Sequence, residues 1–202
     1  MQSKVTAIVK TIGRPTLQKA IDSAEREGFP VVVVSDGHPL YDQETGELIV
    51  GGADAAIELK KNWGCYGAVA ANVGVALTET EYVVFVDDDD ELAPGAGDII
   101  RNAISRDSSV DIWVQGLLFN NGMEMCLDKS KGVVMGNVAV PIYKVDVLTK
   151  NPFSTEVPPH VQDYADFFHV LLCHTKGFSV DWLGKVTYLV RPELEGTNGR
   201  GK

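Results

Sequence analysis

Cysteine is scarce in this sequence. Cys65, Cys126 and Cys173 are odd in number and show no C-x-x-C spacing, so neither a disulfide framework nor a zinc knuckle is indicated, and a reducing cytoplasm is the expected compartment. Positive charge is also short. Eighteen Lys and Arg face twenty-eight Asp and Glu, for a formal net charge of −10. The basic residues never gather into a run that could follow a phosphate backbone, which disfavours tight nucleic-acid binding. Long apolar runs are missing as well: Val5 to Val9, preceded only by Lys4, is too brief for a signal-peptide core or a membrane span, so a soluble chain is expected. There is no repeat, no low-complexity segment and no linker, because the nine prolines and twenty glycines are scattered among apolar stretches. One domain over 1–192 is therefore expected, with a Gly- and charge-rich tail, 193–202, expected to be mobile.

What is present is a chain of 202 residues, 45% hydrophobic, enough to bury a substantial core. Val5 to Thr11 reads as a buried strand, broken by Gly13-Arg-Pro15, with Pro15 suited to the first turn of a helix. Leu17, Ala20, Ile21 and Ala24 follow at helical spacing until Gly28 and Pro30. Val31 to Val34, four β-branched residues in succession, predicts a strand covered on both faces. Ser35-Asp36-Gly37 then falls at the carboxyl end of that strand, where open α/β sheets bind ligands.

A polar stretch from His38 to Gly52 is expected to hold a short hairpin near Gly46, and Ala56 to Lys60 a short strand. The small residues of Gly67 to Leu77 predict a helix packed closely on the sheet, and Tyr82 to Val86 a buried strand. Gly97 to Ser105 reads as a helix, Asp111 to Phe119 as a strand, and Met123 to Val140 as hairpin material. Val161 to Cys173 reads as a helix with Tyr164, Phe167, Phe168, Leu171 and Leu172 on one apolar face. Two strands, Ser179 to Leu183 and Lys185 to Val190, close the domain. The alternation predicts an α/β sandwich with a mixed central sheet flanked by helices.

The strand at Tyr82 runs straight into Asp87-Asp-Asp-Asp-Glu91. Four aspartates at a strand tip repel one another unless a cation or ligand relieves them. Carboxylate oxygens are hard ligands suited to Mg²⁺ or Mn²⁺, which keep positions open for substrate phosphates. The plain alternative is a solvated acidic turn ahead of a helix.

Here the chain resembles the family 2 glycosyltransferases with the GT-A fold, a single-domain, Rossmann-like sandwich in which an aliphatic strand ends in a D-x-D motif. In this sequence it stands as Phe85-Val-Asp-Asp-Asp-Asp-Glu-Leu-Ala-Pro94. Other segments fall in the family's order. Thr11-Ile-Gly-Arg14 with Leu17, Ala20, Ile21 and Ser23 looks like its first strand-to-helix turn, and Val31 to Gly37 like its second strand with the base-binding aspartate. Gly67-Ala-Val-Ala-Ala-Asn72 with Gly74 and Ala76 looks like the helix before the metal strand. Gly136 to Lys144 is similar to the segment beneath the acceptor, and Gln162-Asp163-Tyr164 to the Glu-Asp pair at a helix start. Ala71 stands where an arginine is common, and Gln162 replaces the usual Glu.

The resemblance implies an inverting enzyme that moves a sugar from a nucleoside diphosphate sugar to a hydroxyl acceptor. It implies donor contacts from Thr11, Arg14, Asn72, Asp87 and Asp88, a pyrimidine contact from Asp36 that suggests a UDP-sugar, a Mn²⁺ or Mg²⁺ ligand in Asp89, and a general base in Asp163. Asp36 is otherwise a turn former and Asp163 a helix cap. For a further metal ligand, His160 is preferred to His174, which lies eleven residues beyond Asp163, about 16 Å along a helix. Arg191, Asn198 and Arg200 would meet the diphosphate if the tail folds over it. A sugar nucleotidyltransferase would also use acidic metal ligands, but needs a Gly-rich basic phosphate loop after the first strand, where only Gly13-Arg14 stands. A non-catalytic nucleotide-sugar or metal-binding module would need no base.

Overall fold

The computed structural model describes residues 4–126, 140–156 and 165–191. The chain begins with strand β1 (Val5–Thr11), helix α1 (Leu17–Arg26), and strands β2 (Val31–Ser35) and β3 (Ala55–Glu58). Helix α2 (Ala68–Ala76), strand β4 (Tyr82–Asp87), the short β5 (Glu91–Leu92) and helix α3 (Ala96–Arg106) follow. Then come β6 (Ile112–Phe119), β7 (Glu124–Met125), β8 (Pro141–Lys144), α4 (Val145–Lys150), α5 (Ala165–Thr175) and β9 (Val180–Val190).

All the strands join one mixed sheet in the order β3-β2-β1-β4-β8-β6-β9-β5, with β7 on β6. The first four pair in parallel, and β8 runs antiparallel between β4 and β6. Strands β1, β2 and β4 are mostly apolar and buried because helices cover both faces, whereas the edge strand β3 is partly exposed. Period-two alternation then sends Val5, Ala7 and Val9 of β1 into one core with α1 and α3, and Ile8 into the other with α2 and α5. Helix α2 can lie close because Gly74 has no side chain: a Cβ there would sit 2.4 Å from Ile8 Cγ2. Among the described residues no helix is long and apolar enough to cross a membrane.

The elements predicted up to Phe119 are found within a residue or two, and the polar stretch does close on itself through a Tyr41–Leu48 bridge. Three expectations are corrected. The two closing strands are one, β9, whose register against β6 shifts around Gly116; that residue lets Lys185 O come within 2.3 Å of where a Cβ would lie. Strand β8 and helix α4 occupy residues given no element by periodicity, with Pro141 tolerated as the first residue of its strand.

The third correction concerns α5, which is apolar on more than one side. It buries His169, Val170 and Cys173, leaving Phe168, Leu171 and Leu172 with 41%, 37% and 47% of their surface exposed. His169 turns inward because partners await it: its Nδ1 accepts from the Tyr143 hydroxyl at 2.9 Å, and its Nε2 donates to Asn151 O at 2.9 Å. The predicted helix start at 161–164 and the tail 193–202 lie outside the described residues.

Candidate active site at the carboxyl edge of the sheet

The acidic run closes β4, but it is not a solvated turn. Asp88, Asp89 and Asp90 are only 1%, 9% and 8% exposed. Buried carboxylates persist only where each finds donors, a counter-charge or a proton, and each of these finds a different solution.

Asp88 builds the turn between β1 and α1. Its Oδ2 accepts from the Thr11 hydroxyl at 2.7 Å, the Ile12 N–H at 2.9 Å and the Arg14 N–H at 3.2 Å, and its Oδ1 takes the Arg14 guanidinium. The Gly13 N–H donates to Thr11 Oγ1 at 2.8 Å, and the Thr16 hydroxyl to Asp88 O at 2.6 Å. Removing the carboxylate by Asp88→Ala would leave several donors without an acceptor, at about 1–3 kcal/mol for each buried one. With Arg14 partly solvated, a loss of about 3 kcal/mol is expected, read as a lower urea midpoint at unchanged slope. A change under about 1 kcal/mol would show that the turn holds without it.

Asp87, Asp89 and Asp90 each place one carboxylate oxygen within 4.8 Å of the others. Lys10 Nζ lies 2.9 Å from Asp87 Oδ1, while Arg191 Nε and Arg14 Nε lie 3.1 and 3.7 Å from Asp89 Oδ2. Asp90 accepts from the Tyr188 hydroxyl at 2.9 Å and the Arg191 N–H at 2.8 Å. Burial works to raise Asp87, but the Lys10 ammonium beside it, with Arg14 and Arg191, holds it below the usual carboxylate range. Burial raises Asp89 too, with Arg14 and Arg191 opposing and Asp87 adding repulsion. Among the described residues no cationic side chain forms an ion pair with Asp90: burial, then Asp87 and Asp89, push it to about 8, so it keeps its proton at neutral pH. Three clustered hard oxygens at the strand tip suit a divalent cation.

At the neighbouring tip of β2, Asp36 is 3% exposed. Its oxygens accept from the Trp63 and Gly64 N–H groups at 2.8 and 3.0 Å, leaving further lone pairs on the carboxylate. Gly37 makes this possible: its φ is +81°, and a Cβ would fall 2.1 Å from Asn62 N. Asn72 is committed elsewhere. Its amide donates to Phe153 O and accepts from Phe153 N, both at 3.0 Å, so it ties α2 to the segment before α5.

Between α2 and α5 lies a cavity of about 250 Å³, lined by Tyr66, Ala68, Phe85, Phe153, Phe168 and Leu172 among others, with Lys10, Asp87 and Asp166 also on its wall. Asp166 is exposed at the cavity, and desolvation there raises its carboxyl, with Lys10 opposing and Asp87 adding to the rise.

The structure thus joins Thr11, Arg14, Asp87, Asp88 and Asp89 in one network, with Asp36 on the next strand tip. It sets Asn72 to a backbone clamp, and Asp163 and His160 lie outside the described residues. Sequence reasoning missed Lys10 and Tyr188. Lys10 left a signal, a lone charge near the end of an otherwise apolar strand; Tyr188 left none, being an aromatic in a strand like any other.

The architecture is that of the GT-A glycosyltransferases. No family model and no curated protein matches the sequence. Among solved structures, S. aureus TarS 1–349 is similar at 20% identity and a TM-score of 0.70, over 93% of this chain and 60% of that one. TarS 1–349 in complex with UDP-GlcNAc is similar at 21% identity and a TM-score of 0.69, over 96% and 60%. A mannosyltransferase from Pyrobaculum calidifontis, in complex with GDP-Man and Mn²⁺, is similar at 16% identity and a TM-score of 0.63, over 97% and 59%. The chain therefore spans about 60% of the length of these three solved chains.

Proposed function

We propose that this protein is an inverting glycosyltransferase that moves a sugar from a nucleoside diphosphate sugar, of the UDP type, to a hydroxyl acceptor. The observation that carries this reading is the convergence of Asp87, Asp89 and Asp90 at the carboxyl tip of β4, with Asp36 at the tip of β2 and a cavity that has Asp87 and Asp166 on its wall. Support comes also from the similar structures that hold UDP-GlcNAc and GDP-Man with Mn²⁺.

In this reading the acceptor oxygen forms a bond to the anomeric carbon as the carbon–oxygen bond to the diphosphate breaks, and that bonding pair leaves with the diphosphate. The hydroxyl proton passes to Asp163. Asp87, Asp89 and Asp90 would hold a divalent cation, which would supply charge neutralisation for the leaving group. Arg14 and Arg191 stand beside Asp89 and add positive charge at the same place, and Asp88 keeps the turn bearing Thr11 and Arg14 in position. Asn72 acts at one remove, through Phe153. Asp36 takes the pyrimidine N3–H on a free lone pair.

The nucleotidyltransferase alternative gains no support. The Ile12, Gly13 and Arg14 amides that would have to cradle phosphates are already bound to Asp88 and Thr11.

Nucleotide preference tests the donor reading. UDP is expected to bind at least about tenfold more tightly than ADP in calorimetry, a difference of about 1.4 kcal/mol. Because Asp36 also holds the turn at Trp63 and Gly64, the diagnostic quantity for Asp36→Ala is the UDP-to-ADP ratio, which should collapse towards one. An unchanged ratio would remove Asp36 from base recognition.

A further inference from the structure

We propose that the acceptor is a neutral apolar alcohol, an aryl or short alkyl hydroxyl compound seated in the cavity between α2 and α5, and not a glycan; this rests on the transferase reading. The argument begins with what the cavity wall can still bond. Lys10 and Asp87 are paired with each other. Both ring nitrogens of His169 are engaged by Tyr143 and Asn151. The Tyr188 hydroxyl donates to Asp90 and accepts from the Asp87 N–H. The Ser154 hydroxyl donates to Glu156 O and accepts from the Glu156 N–H, and the Cys65 thiol donates to Trp63 O.

Among the described residues this leaves most of the wall's spare bonding capacity on its charged groups, the Lys10 ammonium and the carboxylates of Asp87, Asp166 and Glu156. A sugar ring would bring several hydroxyls into contact with this wall, and most would lose water without gaining a partner, which is unfavourable. A compound with one hydroxyl needs one polar end, and the part of the wall bearing Lys10, Asp87 and Asp166 provides it.

The rest of the wall supports the same choice. Tyr66, Phe168 and Leu172 stand at the cavity with 56%, 41% and 47% of their surface open to water. An apolar occupant would cover them, a favourable exchange in proportion to the area removed from water. The volume of about 250 Å³ suits a one- or two-ring compound or a short alkyl chain. Among the described residues the charge on the wall is Asp87, Asp166 and Glu156 against Lys10, a balance that selects a neutral acceptor over an anionic one.

The test uses the full chain with 2-naphthol and methyl β-glucoside as probes. In calorimetry without donor or metal, 2-naphthol is expected to bind and methyl β-glucoside not to. Leu172→Glu, at an exposed helix position where folding is checked by its melting temperature, should weaken 2-naphthol at least tenfold. Phe168→Ala should weaken it in the same direction. In a second arm, UDP-GlcNAc or GDP-mannose with Mn²⁺ should yield a naphthyl glycoside by mass spectrometry. Absent 2-naphthol binding, binding unchanged in both variants, or transfer to methyl β-glucoside alone would overturn the proposal while leaving the transferase reading intact. Failure of every nucleotide sugar to bind, with 2-naphthol still bound and lost in Leu172→Glu, would instead overturn the transferase reading and with it the acceptor role of the cavity.

Discussion

Asp163→Asn is expected to keep the fold and the binding of donor and metal, yet to lose at least about a hundredfold in kcat, because general-base assistance is typically worth 10²- to 10⁴-fold. The choice of asparagine separates chemistry from capping. Asparagine serves a helix N-cap about as well as aspartate but cannot accept the acceptor's proton. A residue that only caps would show near-normal turnover, and the melting temperature distinguishes that outcome from unfolding. Asp166 is the internal comparison. It lies in the first turn of α5 and on the cavity wall beside Lys10 and Asp87. If Asp166→Asn abolishes turnover while Asp163→Asn does not, the base is Asp166. Its raised carboxyl would then place the rising limb of the rate profile above the pH at which an ordinary aspartate titrates.

Chelation is expected to abolish transfer, and Mn²⁺ or Mg²⁺ to restore it, since the departing diphosphate needs its charge neutralised. Asp89→Ala should mimic chelation. Full activity in excess EDTA would remove the metal from the reading, leaving Arg14 and Arg191 to serve the diphosphate alone. The apparent affinity for Mn²⁺, followed by calorimetry, should rise with pH, because the proton held by Asp90 must leave before that carboxylate can act as a ligand. For one released proton the rise is about tenfold per pH unit, levelling off near 8.

The same group sets the pH dependence of the metal-free protein. The folded state holds Asp90 at about 8 against an ordinary value of 3.8, so the native chain binds a proton that the unfolded chain releases. This contribution to stability is fully present below about 4 and is lost as pH rises through 8. The melting temperature of the metal-free protein should therefore fall between pH 5 and 9, and Mn²⁺ should offset the fall.

Much of this architecture was legible in the sequence, because its signals are local. Val5 to Thr11, Val31 to Val34 and Tyr82 to Val86 are strands covered on both faces, and continuous β-branched or apolar stretches announce that without reference to the rest of the chain. The turns at Gly13-Arg-Pro15 and Ser35-Asp36-Gly37, and the aspartates that end β4, were likewise legible, since backbone sterics and charge repulsion act between near neighbours.

What only the tertiary structure decided is which groups answer those aspartates and which side of α5 is buried. Tyr188 and Arg191 reach Asp90 from 98 and 101 residues away, and Thr11 reaches Asp88 from 77. The first two meetings depend on β9 running parallel beside β6 and pairing with β5, and the third on β1 lying beside β4, an order that no local pattern encodes. Helix α5 offered apolar residues on several sides. The inward side was settled by Tyr143 and Asn151, whose hydroxyl and carbonyl satisfy His169, since a buried polar ring is stable only where such partners are already in place.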